Sequence, residues 1–241
     1  MKPEIYRLLH RGTPADLPFY RELCSGKTVL ELGCGYGRVL EALSDSRSLT
    51  AIDIDRGLLR LAAEGRHGAQ LIEMDMRGFE LPHRYERIIA PYNALYCLSS
   101  QVELEQTIEQ VARHLTAEGV FAFDLWNADG LEIDANELAE EEQPTFVVQI
   151  DLEGETLNVF EANRWEPQEQ RVTADYFDRK ASGEDLLLGT NVHRYFFREQ
   201  IDRALALAGL TEVDWRGSFG NEPWSEESEH SVICAAKAAR R

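Results

Sequence analysis

The chain has 241 residues, 44% of them hydrophobic, which is enough for one α/β domain with a packed core and an insertion. Its 43 acidic residues outnumber its 25 basic residues, and the formal net charge is -18. A surface this acidic repels phosphate backbones and anionic lipid, so we expect neither nucleic acid nor a membrane as a partner, and a small molecule or another protein is favoured.

The cysteines and the N-terminal segment favour a reducing compartment. The chain has four widely spaced cysteines, which form no C-x-x-C pair: Cys24, Cys34, Cys97 and Cys234. This spacing argues against a zinc site and against a disulfide framework. The N-terminus lacks the apolar core of a signal peptide, and no apolar run approaches the roughly 20 residues that span a bilayer. We therefore expect a soluble, cytoplasmic protein without a metal.

Strand and helix patterns alternate over the first half of the chain. Short apolar runs predict five strands: Thr28–Leu32, Leu49–Ile54, Gln70–Glu73, Tyr85–Ala90 and Gly119–Leu125. Helical spacing is predicted over Gly37–Leu43, after Asp55 as N-cap, and from a Ser100–Glu103 capping box to a stop at Gly119. Alternation of this kind predicts a doubly wound sheet of parallel strands.

The pattern changes after residue 130. Residues 131–144 are acidic and predict a solvated loop or helix face. Four alternating segments with hairpin-type turns follow: Thr145–Asp151, Thr156–Trp165, Gln170–Arg179 and Leu186–Tyr195. A helix is predicted over Arg198–Leu207. The main sheet would then end with two strands, Thr211–Trp215 and Ser231–Ala236.

These elements predict an α/β protein with a seven-stranded, mostly parallel sheet and a small inserted antiparallel β-sheet. The main domain would comprise residues 1–130 and 196–241, and the inserted subdomain residues 131–195. We expect the insertion to act as a lid or as a dimer surface, and the second alternative would make the protein a homodimer.

The segment VLELGCGYGRVL, residues 29–40, carries the sharpest functional signal. Gly33, Gly35 and Gly37 lie between a strand and a helical pattern, where the backbone turns tightly and approaches a ligand. Dinucleotide sites favour G-x-G-x-x-G/A, but the third small position is Arg38 here. The carboxylate of Glu31 would repel a pyrophosphate, whereas it suits the ammonium group of a methionine moiety, whose carboxylate the helix N-terminus can receive. The turn therefore favours S-adenosylmethionine (SAM) over NAD.

Two further acids end the next strands. Asp53 lies 20 residues beyond Gly33, an offset that suits hydrogen bonds to ribose hydroxyls, and Asp55 is the alternative, although its position favours an N-cap. Asp75 can accept an adenine amino proton while the backbone of Met76 contacts the ring. Ligands of doubly wound sheets bind outside the carboxyl ends of the strands, so the acids reinforce one another.

Four segments in this order resemble the motifs of class I SAM-dependent methyltransferases: ELGCGYGR, AIDIDRGLLRLA, MDMRGF and YERIIAPYNALYCL. The chain is most similar to bacterial small-molecule methyltransferases with a β insertion after the fifth strand. The resemblance implies a Rossmann-like fold, SAM as cofactor, and a methyl-donor end lined by Ala90–Leu95. Phe19–Tyr20 resembles an aromatic element that closes over the cofactor.

The predicted cofactor site combines these motif residues with their neighbours: Glu31, Gly33, Cys34, Gly35, Gly37, Asp53, Ile54, Asp75, Met76, Pro91 and Tyr20. Tyr92, Asn93 and Trp126 are candidates for orienting the methyl acceptor, with packing as the alternative role, and Asn127 is considered with Trp126. His193 is a substrate-site candidate that could act as a base, with a structural or solvent-exposed role as the alternative. No catalytic residue is assigned, because a base is needed only when the acceptor arrives protonated.

We therefore predict an enzyme that transfers a methyl group to N or O of a small molecule. The chain reads Ala90-Pro91-Tyr92-Asn93 where methylases of nucleic-acid amines carry Asp/Asn-Pro-Pro-Tyr/Phe, which argues against that class. The alternatives are a non-catalytic SAM-binding protein, an NAD(P)-dependent oxidoreductase and a methylase of a protein partner.

Overall fold

The computed structural model describes residues 1–131, 143–220 and 222–238. The chain forms two compact units, one of Met1–Arg11 with Leu131–Tyr195 and the other of Gly12–Gly130 with Phe196–Arg241. The predicted main domain includes residues 1–11, whereas these residues pack with the insertion. Most of the predicted acidic loop or helix face, residues 132–142, lies outside the described residues.

The strands, numbered in chain order, are β1 (Thr28–Leu32), β2 (Ser48–Asp53), β3 (Gln70–Glu73), β4 (Tyr85–Ala90), β5 (Leu115–Trp126), β6 (Thr145–Leu152), β7 (Glu155–Glu166), β8 (Arg171–Arg179), β9 (Asp185–Arg194), β10 (Leu210–Arg216) and β11 (His230–Lys237). The larger unit holds a seven-stranded sheet in the order β10-β11-β5-β4-β1-β2-β3. Neighbours among β1 to β5 are parallel, while β11 runs antiparallel to β5 and β10 antiparallel to β11. The predicted doubly wound, mostly parallel sheet is confirmed.

The α-helices are α1 (Pro3–Leu9), α2 (Asp16–Cys24), α3 (Arg56–Ala62), α4 (Gln101–His114) and α5 (Arg198–Leu207), and short 3-10 helices cover Leu40–Leu43, Ala94–Cys97 and Pro167–Glu169. Two predicted helix bounds are wrong. The glycine-rich turn leads only to the 3-10 helix Leu40–Leu43, since the chain continues into a run of Ser and Asp residues that favour turns. Helix α4 ends at His114 rather than Gly119, because Leu115 already pairs with Tyr85 of β4.

One face of the main sheet packs against α2, the first 3-10 helix and α3. The apolar cluster on this face includes Tyr20 and Cys24 of α2, Leu40 of the 3-10 helix, Leu59 of α3 and Val29 of β1. Side chains alternate along a strand, so Glu31 points to the same face as Val29. The carboxylate of Glu31 therefore lies at the end of a buried strand, on the side covered by α2.

The smaller unit is a four-stranded antiparallel sheet in the order β6-β7-β8-β9. The four predicted hairpin strands are confirmed within a residue or so at each end. Helix α1 contributes Ile5 to an apolar cluster with Ile150, Leu157, Val159 and Tyr176. This shared cluster is the physical reason why residues 1–11 group with the insertion.

Candidate cofactor site

The glycine-rich turn after β1 has a left-handed backbone at each of its glycines, with φ of 66° at Gly33, 54° at Gly35 and 83° at Gly37. A Cβ added to Gly37 would lie 3.1 Å from the Cβ of Ala62 in α3, so this glycine serves close packing. A Cβ on Gly35 would meet nothing within 4 Å. The turn is thus closed toward α3 and open at Gly35, where a ligand can approach the backbone.

Asp53, at the end of β2, ties this turn to the next loop. Its carboxylate accepts hydrogen bonds from the backbone N–H of Gly35 at 2.7 Å and of Asp55 at 2.8 Å. Burial raises the pKa of Asp53, and these two donors oppose the shift. The side chain of Asp55 instead caps α3, accepting from Gly57 N at 2.7 Å and Leu58 N at 3.0 Å, which confirms its predicted role as N-cap. Of the two acids, Asp53 is the one that contacts the glycine-rich turn.

Glu31 is a buried carboxylate that lacks a full set of partners. It is 2% exposed, and its Oε2 has no hydrogen-bond partner among the described residues. Burial raises the pKa of Glu31 to about 8, with Arg38 opposing the shift and Asp53 and Asp16 adding to it. A buried, unpartnered carboxylate oxygen is costly, so it marks a place where a ligand with a hydrogen-bond donor, above all a cation, would be stabilised.

Arg38 supplies a positive charge beside the turn. Its guanidinium donates to both carboxylate oxygens of Asp16, at 3.1 and 2.6 Å, and its centre lies 5.5 Å from the Tyr92 ring centroid. A four-residue 3-10 helix does not provide the α-helix N-terminus that we expected to receive an anion. The buried Asp16 and the positive role of Arg38 were missed, because they meet only when α2 packs on the turn.

The third acid, Asp75, is more exposed than Glu31 and already forms an ion pair with Arg77. Its carboxylate accepts from the backbone N–H and the Nε of Arg77, each at 2.9 Å, and Arg77 also donates to Glu103 at 2.8 Å. These bonds lower the pKa of Asp75. Nearby, Ile54 leaves 66% of its surface exposed, a high value for an apolar residue directly after a buried strand.

Met76 and Cys34 flank the turn itself. The Cε of Met76 lies 3.4 Å from the position that a Cβ on Gly33 would occupy. Cys34 is buried and donates its backbone N–H to Ile52 at 3.1 Å, while burial raises the pKa of its thiol. Both residues therefore help to shape the turn, and Cys34 does so through its main chain.

The chain after β4 is held by the end of β5. Pro91 is buried, and Tyr92 and Asn93 follow with φ of 55° and 60°. The backbone N–H of Tyr92 donates to Asp124 Oδ1 at 2.9 Å, and that of Asn93 donates to the Asp124 carbonyl at 3.0 Å. The Asn93 side chain accepts from Trp126 N at 2.7 Å. The predicted acceptor residues Tyr92, Asn93 and Trp126 are thus brought together.

Tyr20 and Asp124 form a buried pair beneath this segment. The Tyr20 hydroxyl is fully buried and donates to Asp124 Oδ1 at 2.5 Å. Burial raises the pKa of Asp124 to about 6, with the bonds from Tyr20 and Tyr92 opposing the shift. Asp124 is not among the predicted site residues, although an acid inside the apolar strand GVFAFDLW is a usable signal.

Two other candidates have different surroundings. The Asn127 amide donates to the carbonyls of Ser225, Glu226 and Ser228, so it holds the loop before β11. His193 lies on β9 of the smaller unit, and burial lowers its pKa. Among the described residues, no group of three or more metal-binding side chains could hold an ion.

The comparisons with known proteins agree with this geometry. A family model described as a methyltransferase domain matches residues 29–119, which include the glycine-rich turn, Asp53 and Asp75. The chain is 25% identical over 226 residues to dTDP-3-amino-3,6-dideoxy-alpha-D-glucopyranose N,N-dimethyltransferase from Streptomyces fradiae, a match that covers 86% of this chain and 83% of that protein.

Solved structures share the fold. The CcbJ methyltransferase from Streptomyces caelestis superposes with a TM-score of 0.78 at 24% identity, over 95% of this chain and 91% of that one. A SAM-bound amino pentose methyltransferase from Micromonospora echinaspora superposes with a TM-score of 0.74 at 19% identity, over 97% of each chain.

These findings decide between the cofactor classes. The methyltransferase domain spans the very turn whose Glu31 and Arg38 argued against a dinucleotide, so the oxidoreductase alternative is not supported. No helix within the described part of the chain is long and apolar enough to cross a membrane. The methyltransferase domain over residues 29–119 and the relative that aligns along most of the chain show a SAM-dependent methyltransferase activity, and the solved structures show a shared fold.

Proposed function

We propose that the enzyme transfers the methyl group of SAM to the amino nitrogen of a small molecule, and that this acceptor is an amino sugar linked to a nucleoside diphosphate. The observation that carries the acceptor class is the match to a dTDP-amino-sugar N,N-dimethyltransferase along most of both chains. A sugar N-methyltransferase from a Streptoalloteichus species shares the fold, with a TM-score of 0.72.

The glycine-rich turn suits the methionine end of SAM. In this proposal, the unpartnered Oε2 of Glu31 accepts a hydrogen bond from the ammonium group. The low exposure of Glu31 strengthens this hydrogen bond. The positive charge of Arg38, which opposes the rise in the pKa of Glu31, balances the negative charge of the methionine carboxylate. The open side of Gly35 leaves room for the ligand beside the backbone. When bound, SAM supplies an activated methyl group on a sulfonium centre.

The ends of β2 and β3 suit the nucleoside end of SAM. Asp53 accepts two backbone N–H groups and, as a carboxylate, has further lone pairs for ribose hydroxyls. The exposed side chain of Ile54 offers an apolar surface for the adenine. Asp75 is already paired with Arg77, so we assign it and Met76 a smaller share of adenine recognition.

The segment after β4 and the end of β5 form the proposed acceptor end. Pro91, Tyr92, Asn93 and Trp126 would orient the amine, and orientation alone can supply roughly 7–11 kcal/mol of the barrier reduction. A protonated amine must lose a proton before it can accept a methyl group. His193 lies in the smaller unit, where burial lowers its pKa, and its role as a base stays a prediction from the sequence.

The test is a methyl-transfer assay with matched acceptors. Purified protein, SAM and a dTDP-linked amino sugar should give products that carry one or two added methyl groups, detected by mass spectrometry. The same nucleotide sugar with a hydroxyl in place of the amine, and the free amino sugar, are the controls. Methylation of the hydroxyl analogue at an equal rate, or no methylation of any amine, would contradict the proposal.

Further predictions concern assembly and location. We propose a small-molecule acceptor rather than nucleic acid, because the net charge of -18 repels phosphate backbones. A cytoplasmic location is consistent with four free cysteines. The role of the insertion, as a lid or as a homodimer surface, stays a prediction. The exposed side chains of Phe146 and Val147 on edge strand β6 favour the homodimer surface. Sedimentation velocity would test the dimer.

A further inference from the structure

We propose that Asp124 is a positioning residue, which holds Tyr92 and Asn93 in the conformation that methyl transfer requires. The inference rests on the proposed function, because it assigns the segment after β4 to the acceptor end. It concerns a buried carboxylate in the middle of the main sheet, which the cofactor assignment leaves without a role.

The backbone that Asp124 holds is an unusual one. Tyr92 and Asn93 are consecutive non-glycine residues with φ of 55° and 60°. A side chain in the left-handed region is disfavoured, most strongly for a bulky residue such as Tyr92, so two in succession persist only when their surroundings impose them. Strained residues of this kind cluster at functional sites, where the surrounding structure fixes their geometry.

Contacts from the end of β5 impose this conformation. Asp124 Oδ1 accepts from Tyr92 N at 2.9 Å, and the Asp124 carbonyl accepts from Asn93 N at 3.0 Å. One residue thus takes both backbone donors of the left-handed pair. Trp126 N adds a third bond, to the Asn93 side chain, at 2.7 Å. The position of the chain after β4 is therefore set by hydrogen bonds to the end of β5. The Asp124 side chain fixes the backbone N–H of Tyr92, and the Asp124 carbonyl fixes that of Asn93.

Helix α2 completes the arrangement through Tyr20. The Tyr20 hydroxyl donates to the same Oδ1 at 2.5 Å, and both side chains are almost fully buried, with Asp124 1% exposed. Two donors from different elements converge on one acceptor oxygen, and a carboxylate accepts both without a competing donor of its own. Asp124 therefore couples α2, β5 and the segment after β4, while Glu31 rather than Asp124 carries the unpartnered oxygen.

The test compares Asp124→Ala with Asp124→Asn and Tyr20→Phe. Asp124→Ala removes the acceptor of Tyr92 N and should lower kcat about 100-fold, the size expected from a small misplacement of reacting groups. Affinity for S-adenosylhomocysteine should change less than about threefold, because Glu31 is untouched. Asp124→Asn keeps an acceptor oxygen and should recover most of kcat, whereas Tyr20→Phe should fall between the two.

A structural readout separates positioning from simple loss of stability. Hydrogen exchange of the peptide that contains Tyr92 and Asn93 should accelerate in Asp124→Ala and return toward the wild-type rate in Asp124→Asn. The matched control is Asp129→Ala, since Asp129 also accepts a backbone N–H, that of Arg198 at 3.0 Å, within the same unit. This control should leave both kcat and the exchange of that peptide unchanged.

Three results would overturn the inference. They are unchanged exchange in Asp124→Ala, no recovery in Asp124→Asn, and a loss of S-adenosylhomocysteine affinity as large as the loss of kcat. If Asp124→Ala does not fold, Asp124→Asn and Tyr20→Phe still test the ranking of kcat and exchange. The exchange and affinity measurements need no acceptor, so failure of the proposed acceptor class is distinguishable from failure of the positioning role.

Discussion

The ends of β1 and β5 each hold a buried carboxylate, and the two differ in what surrounds them. Glu31 and Asp124 are 2% and 1% exposed, and burial raises the pKa of each, to about 8 and about 6. Asp124 accepts bonds from Tyr20 and Tyr92, whereas Glu31 Oε2 has no partner among the described residues. The satisfied carboxylate is suited to fixing main chain, and the unsatisfied one to receiving a ligand.

This difference also explains the two pKa values. Burial disfavours the charged form of both side chains, but hydrogen bonds to a carboxylate favour its charged form. Asp124 has two such donors, while the shift at Glu31 is opposed mainly by the charge of Arg38. At neutral pH we therefore expect Asp124 to be largely ionised and Glu31 to be largely protonated until a cation binds.

The largest expected contrast is in stability. Asp124→Ala should lower the free energy of unfolding by about 2–4 kcal/mol, because it leaves the buried Tyr20 hydroxyl and Tyr92 N–H without an acceptor. Glu31→Gln should not destabilise. The raised pKa of Glu31 means that its contribution is fully present below pH 4.5 and is lost as pH rises toward 8, so the variant should gain stability relative to wild type over that range. Urea unfolding at pH 5 and pH 8 measures the free energy of unfolding of both variants. Equal losses of stability in Asp124→Ala and Glu31→Gln would contradict the difference drawn between the two carboxylates.

The next contrast is in cofactor affinity. Glu31→Gln removes the charge that would face the ammonium group, and it should weaken binding of S-adenosylhomocysteine about 100-fold. Asp124→Asn is the matched control and should stay within about threefold. Isothermal titration calorimetry gives both constants. A weak effect of Glu31→Gln would remove Glu31 from the cofactor site.

The pH dependence of binding sharpens the same point. Below about pH 8, Glu31 must release a proton to accept the ammonium group, so affinity for S-adenosylhomocysteine should rise with pH. The slope should approach tenfold per pH unit between about pH 6 and 7.5, below the range in which an α-amino group deprotonates. Glu31→Gln should flatten this slope, whereas Asp124→Asn should retain it. A flat wild-type profile would contradict the assignment.

The smallest effect is expected at the third strand end. Asp75 has a side chain that is 38% exposed and is paired with Arg77, so it differs from both buried carboxylates. Asp75→Asn should change affinity for S-adenosylhomocysteine by less than about threefold, since exposed ion pairs contribute little. A loss comparable with that of Glu31→Gln would show that adenine recognition depends on Asp75 more than its pairing suggests.

Local pattern was enough to predict most of the fold. Apolar runs placed β1, β3 and β4 at their observed bounds, and period-two alternation placed the hairpin strands β6 to β9 within a residue or so. It failed where tertiary pairing competes, as at Leu115, which joins β4 through Tyr85 instead of extending α4. It also failed after Gly37, where the helical spacing yields only a 3-10 helix.

The sequence by itself favoured SAM over NAD as the cofactor, because Glu31, the glycine-rich turn and Asp53 form a pattern that suits SAM better. Only the tertiary structure decided what supports that pattern. Asp16 meets Arg38, and Tyr20 meets Asp124, across separations that no local spacing reveals. The physical reason is burial, because the sheet and α2 remove these groups from water and make each of them depend on a partner that lies far along the chain.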